Sequence, residues 1–127
     1  MSRILVIDDD AALRTIVRKM LEADHEVVEA ANGNEGLTLF RQGGADLVIS
    51  DLIMPDRDGI ETIQELREGW PGVKILAMSG GGSIDPRERL IDAELLGADA
   101  SLLKPFTMAS LRVAVAELLA RGSGSQI

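Results

Sequence analysis

Short aliphatic runs alternate along the chain with segments whose apolar residues recur every three or four positions. Ile4-Leu5-Val6-Ile7 is a continuous aliphatic run, the pattern of a strand buried on both faces. Leu13, Ile16, Val17, Met20 and Leu21 follow at helical spacing. Val27 and Val28 mark a second, weaker strand, and Glu35 to Phe40, with Leu37 and Phe40 three apart, a short helix. Asp46 to Ile49 reads as a third strand, and Ile60, Ile63, Leu66 and Arg67 as a helix closing near Gly69. Val73 to Met78 is a fourth strand. The next helix is entered at Asp85 as N-cap, with Pro86 at the first helical position and Glu88 as capping-box partner, and it stops at Gly97. Ala100 to Leu103 is a fifth strand, and Thr107 caps a last helix carrying Leu111, Val115, Leu118 and Leu119.

Five strands alternating with five helices imply an α/β fold, a (βα)5 doubly wound five-stranded parallel sheet covered on both faces. The 127 residues suit one domain, expected over residues 1–121, with 122–127 as a flexible C-terminal tail rich in Gly and Ser. Aromatics are 2% of the chain, so the core must be built from Leu, Ile, Val, Ala and Met. The absence of cysteine removes disulfides and thiolate metal sites, and a single histidine, His25, makes a zinc site implausible. A net charge of −8 disfavours direct nucleic-acid binding. No apolar run is long enough to span a bilayer, so a cytoplasmic protein without membrane insertion is expected.

In open α/β sheets, ligands bind beyond the carboxyl ends of the strands at the topological switch point, which for the order 2-1-3-4-5 lies between strands 1 and 3. After strand 1 come Asp8, Asp9 and Asp10; strand 3 runs on to Asp51. Ser79 follows strand 4, and Lys104, then Pro105, follows strand 5. Carboxylates gathered there repel, at about 4 kcal/mol per pair for a separation of about 4 Å and an effective dielectric of about 20. Lys104 offsets part of that, and a hard divalent cation such as Mg²⁺, which takes oxygen ligands, offsets more. Beside such a cation, Asp51 can act as a nucleophile toward a phosphoryl group. Lys104 and Ser79 then serve the phosphoryl oxygens.

The chain resembles the receiver-domain family of bacterial two-component response regulators, chemotaxis receivers included. The resemblance rests on Ile4 to Asp10, Asp46 to Gly59, Ile75 to Gly80 and Leu103-Lys104-Pro105-Phe106, which occur in the family's order and cover essentially the whole chain. It implies the flavodoxin-like strand order 2-1-3-4-5. It makes Asp51 the phosphoacceptor, with Mg²⁺ held by Asp8, Asp9, Asp51 and the backbone carbonyl of Ile53. Ser79 and Lys104 would contact the phosphoryl group, and Pro105 is the candidate for a cis peptide. The donor would be a histidine kinase or histidine phosphotransfer protein, the output an unidentified protein, and the domain a monomer or weak dimer. Phosphorylation would draw Ser79 and Lys104 inward and carry the Gly80 to Gly82 loop and the following helix with them. One departure stands out: Ser101 occupies a strand-5 position where the family often has Tyr or Phe, so the family's usual aromatic readout is not expected at that position.

Plainer roles are expected elsewhere. Asp10 is a helix cap; Asp56 and Asp58 are turn and cap residues, Asp58 pairing with Glu61; His25 is a solvated loop residue; Trp70 marks the loop before strand 4; the methionines are packing. The glycine triplet lacks the Lys-Ser/Thr ending of a phosphate-binding loop. A phosphatase of the haloacid-dehalogenase type would need a second Asp two residues after the nucleophile, where Ile53 stands, so an enzyme with turnover is disfavoured. A phosphorylation-independent interaction module is the remaining alternative.

Overall fold

A computed structural model describes residues 2–52, 59–79 and 97–121. Its five strands are β1 (Ser2–Ile7), β2 (His25–Ala30), β3 (Leu47–Asp51), β4 (Lys74–Ser79) and β5 (Ala100–Leu103). All pair in parallel, in the order β2-β1-β3-β4-β5. The helices are α1 (Ala11–Leu21), α2 (Gly33–Gly43), α3 (Gly59–Gly69) and, at the C-terminal end, α4 (Met108–Arg121). The expected helix from Asp85 up to the residue before Gly97, the glycine triplet, Ile53, Asp56, Asp58 and the tail lie outside the described residues.

Alternation along each strand sorts the core into two layers. Leu5, Ile7, Val48, Ile75 and Ala77 face α2 and α3, where Leu37, Phe40, Ile63 and Leu66 meet them. Ile4, Val6, Ile49, Leu76 and Met78 face α1 and α4, against Val17, Leu21, Leu111, Val115 and Leu118. The near-continuous aliphatic strands follow from this: both faces of each central strand are covered, so neither parity can be polar. Trp70, at the end of α3, packs its ring edge-on to Phe40 with centroids 4.7 Å apart.

Asp10 caps α1, accepting from the backbone N–H groups of Ala12 and Leu13 at 3.0 and 3.2 Å. Thr107 and Ser110 exchange hydrogen bonds at the start of α4. Three sequence expectations need correction. His25 is not a loop residue but opens β2, because the parallel ladder with β1 extends back to the pair Ser2 and His25. Helix α2 is longer than Glu35 to Phe40, since Asn32 caps it and accepts from Glu35 N at 2.9 Å. Asp46 lies just before β3, where its carboxylate accepts the Arg3 N–H at 2.8 Å.

Candidate functional site

β1 and β3 are neighbours in the sheet, and their carboxyl ends deliver acids to one point. β1 ends at Ile7, so Asp8 and Asp9 follow at once, while Asp51 is the last residue of β3. Single carboxylate oxygens of Asp8, Asp9 and Asp51 lie within 4.8 Å of one another. Asp8 and Asp51 are buried and Asp9 is exposed. Three hard oxygen donors at this separation, one of them open to solvent, suit Mg²⁺, which binds through one or two carboxylates and keeps several waters.

Lys104 reaches across from the end of β5. Its ammonium lies 3.2 Å from Asp8 Oδ2 and 3.2 Å from Asp51 Oδ1. The ladder steers it there: Lys104 N donates to the Ser79 carbonyl at 2.8 Å, continuing the β4–β5 pairing by one residue. The Lys104–Pro105 peptide is cis. Burial works against the charge of Lys104, but the carboxylates of Asp51 and Asp8 outweigh it and hold its pKa above the usual lysine value. Asp51 moves the other way from an ordinary aspartate. Burial, reinforced by the charges of Asp8 and Asp9, raises its pKa to about 6, although Lys104 pulls it down.

Ser79 is fully buried on β4, one residue beyond Met78, which pairs with Asp51 in the β3–β4 register. Its hydroxyl has no hydrogen-bond partner among the described residues. A buried hydroxyl without a partner costs about 1–3 kcal/mol, and among the described residues that of Ser79 has none. Ser101 lies in β5 opposite Ala77 and is half-buried. Ile53, expected to lend its carbonyl, lies outside the described residues.

The loop after β1 is fixed from several sides. Asp8 N donates to the Ala30 carbonyl at 3.1 Å, and Asp10 N donates to Asp8 Oδ1 at 2.9 Å. Arg14, in α1, donates from its guanidinium to the Asp8 carbonyl at 2.6 Å and pairs with Glu29 at 3.3 Å. Sequence reasoning missed Arg14: an arginine on an amphipathic helix looks the same whether it meets solvent or grips a neighbouring loop. It missed Arg67 for the same reason. At the end of α3, Arg67 donates to the carbonyls of Gly97, Pro71 and Val73 and pairs with Asp99 at 2.7 Å. That cluster sits at the opposite pole of the sheet, where a cavity of about 620 Å³ lined by Phe40, Asp46, Trp70 and Lys74 contains none of the predicted site residues.

Known proteins resemble this chain in sequence and in fold. Residues 4–116 match the response regulator receiver domain. The chain is 35% identical over 118 residues to the chemotaxis protein CheY of Halobacterium salinarum, covering 92% of this chain and 96% of that one. It is 38% identical over 122 residues to the response regulator MprA of a Mycobacterium species, covering 95% of this chain but only 52% of that one. It thus spans about half the length of that larger regulator. Among solved structures, a response regulator receiver domain protein from Clostridium thermocellum superposes with a TM-score of 0.87 at 30% identity, covering 95% and 96% of the two chains.

Proposed function

The chain belongs to the response regulator receiver domain family, a family of phosphoryl-accepting signalling domains of two-component systems rather than classical enzymes, and on that premise we propose that Asp51 is its phosphoacceptor and that Mg²⁺ binds beside it. The observation that carries this reading is the convergence of Asp51, Asp8 and Asp9, with the Lys104 ammonium 3.2 Å from both Asp8 and Asp51.

The Asp51 carboxylate attacks phosphorus, and the bond from phosphorus to the donor's leaving atom breaks as the acyl phosphate forms. The nucleophile must be ionised, which a pKa of about 6 permits at neutral pH. Bound Mg²⁺ supplies neutralisation of the charge on the phosphoryl oxygens. Asp8 and Asp9 would hold the cation on the β1 side, and the sequence resemblance adds the backbone carbonyl of Ile53 as a further ligand. Lys104 leaves its two carboxylates in part to pair with a phosphoryl oxygen, and Ser79 donates its buried hydroxyl to another. No general acid is needed at Asp51, since no proton moves there.

The phosphodonor is a phosphohistidine on a histidine kinase or a histidine phosphotransfer protein, and the output is a protein whose affinity changes on phosphorylation. Coupling of this kind is worth about 1–3 kcal/mol. Any catalysis by the domain is confined to its own phosphorylation and dephosphorylation. No helix among the described residues is long and apolar enough to cross a membrane, and we propose a cytoplasmic site of action.

The test is incubation with acetyl phosphate or phosphoramidate, with and without Mg²⁺, read by intact mass. The expected result is a Mg²⁺-dependent gain of one phosphoryl group that Asp51→Asn abolishes. A gain that persists in Asp51→Asn would place the acceptor elsewhere. If neither small donors nor a phosphorylated histidine domain produced a gain, the domain would be a phosphorylation-independent interaction module.

A further inference from the structure

We propose that Arg14 is a positioning residue that sets the relative direction of the Asp8 and Asp9 carboxylates and thereby makes the acidic site selective for Mg²⁺ over larger divalent cations. The inference rests on the reading of that site as a cation site.

The Asp8 carbonyl that Arg14 grips at 2.6 Å belongs to the peptide unit joining Asp8 to Asp9. That unit is planar and stiff, so fixing its oxygen fixes the Cα atoms on both sides and with them the origins of both side chains. Asp8 has further holds: its N–H bonds to Ala30, its Oδ1 accepts from Asp10 N, and its Oδ2 accepts from Lys104. Asp9 is exposed, and the planar peptide before it sets the position of its Cα, from which its side chain starts.

Arg14 is itself held. Its side chain is 16% exposed, and its Nε lies 3.3 Å from Glu29 Oε1, while Arg18 approaches Glu29 Oε2 at 3.5 Å. Glu29 and Ala30 are consecutive residues of β2. Both backbone atoms of Asp8 are therefore anchored to the same edge strand, the N–H directly through Ala30 and the carbonyl through Arg14 and Glu29.

Mg²⁺ demands near-ideal octahedral geometry at about 2.0–2.1 Å, whereas Ca²⁺ accepts a looser shell at about 2.3–2.6 Å. A peptide plane free to rock costs Mg²⁺ more than Ca²⁺. The charge of Arg14 works in the opposite direction: its removal makes the site more negative and favours any divalent cation. Because that effect is common to both ions, the ratio of their affinities isolates positioning from charge.

The experiment is calorimetric titration of the full chain with MgCl₂ and with CaCl₂, for wild type, Arg14→Gln, Arg14→Lys and Glu29→Gln, alongside metal-free melting curves. The Mg²⁺-to-Ca²⁺ affinity ratio is expected to fall about tenfold in Arg14→Gln, the lower end of the effect typical of residues that orient metal ligands. It should fall less in Glu29→Gln and be partly restored in Arg14→Lys, which keeps a donor and a charge. Should Arg14→Gln fail to fold, Glu29→Gln and Arg14→Lys carry the same ratio test. An unchanged ratio in folded variants of a wild type that binds Mg²⁺ overturns the role of Arg14 alone. A wild type that binds neither cation overturns the cation site as well.

Discussion

Burial and the charges of Asp8 and Asp9 lift the Asp51 carboxyl to about 6 against the pull of Lys104. In the unfolded chain the same group titrates near 3.8, so the folded protein holds this proton more tightly. The contribution of Asp51 to stability is therefore present at low pH and is lost as pH rises through about 6. Above that, in metal-free protein, the ionised carboxylate costs on the order of 2–3 kcal/mol. Asp51→Asn removes the ionisation. We expect its stability advantage over wild type, measured by urea unfolding in chelator, to grow between about pH 4 and pH 7 and then level off. A difference that stays flat with pH would refute the burial of charge at Asp51. The prominence of Asp51, Asp8, Asp9 and Lys104 was legible in the sequence because each lies within two residues of the end of an apolar run. The partners of Arg14 and Arg67 were not, because long flexible side chains reach across elements that only folding makes neighbours.

At the scale of elements, Arg67 joins the end of α3 to the turns that lead into β4 and β5. Its five donor contacts reach Gly97, Pro71, Val73 and Asp99, and Asp99 also accepts the Ile75 N–H at 2.7 Å. Gly97 has φ of +135°, and a Cβ there would stand 3.2 Å from Arg67 Cβ and Cγ, so the close approach and the backbone both call for glycine. Arg67→Met keeps the apolar stem and removes the donors. It should cost about 2 kcal/mol, a discounted figure because both partners are about a quarter exposed. Phosphorylation of Asp51 should survive it, since the cluster lies at the other end of the sheet. Urea titration and the intact-mass assay together check this, and loss of phosphorylation in a folded Arg67→Met protein would contradict it. Element boundaries were the less legible part. β2 starts at His25 and α2 at Gly33 because ladder pairing with β1 and the Asn32 cap extend them beyond their apolar residues.

For the whole molecule, a net charge of −8 and three acids at one point make cation binding and folding a coupled equilibrium. Mg²⁺ at about 100 times its Kd should stabilise wild type by about 2.7 kcal/mol. The increment should exceed that of NaCl at equal ionic strength and shrink in Asp51→Asn; thermal melts across a MgCl₂ series read it. An equal response to both salts would reduce the effect to general screening. The sequence by itself determined the class of fold, because aliphatic runs alternating with helical periodicity can be buried only as a parallel sheet covered on both faces. It also pointed to where the proposed site residues gather, because polar groups that end such runs lie at the sheet's carboxyl edge. Tertiary structure alone decided which helices share a face, α2 and α3 against α1 and α4, since strand parity divides the core without saying which helix covers which half. It alone decided the 3.2 Å bridge from Lys104 to both acids, the full burial of Ser79 and the grip of Arg14 on the Asp8–Asp9 peptide. Those are distances between residues far apart in the chain, and such distances exist only once the strands have paired.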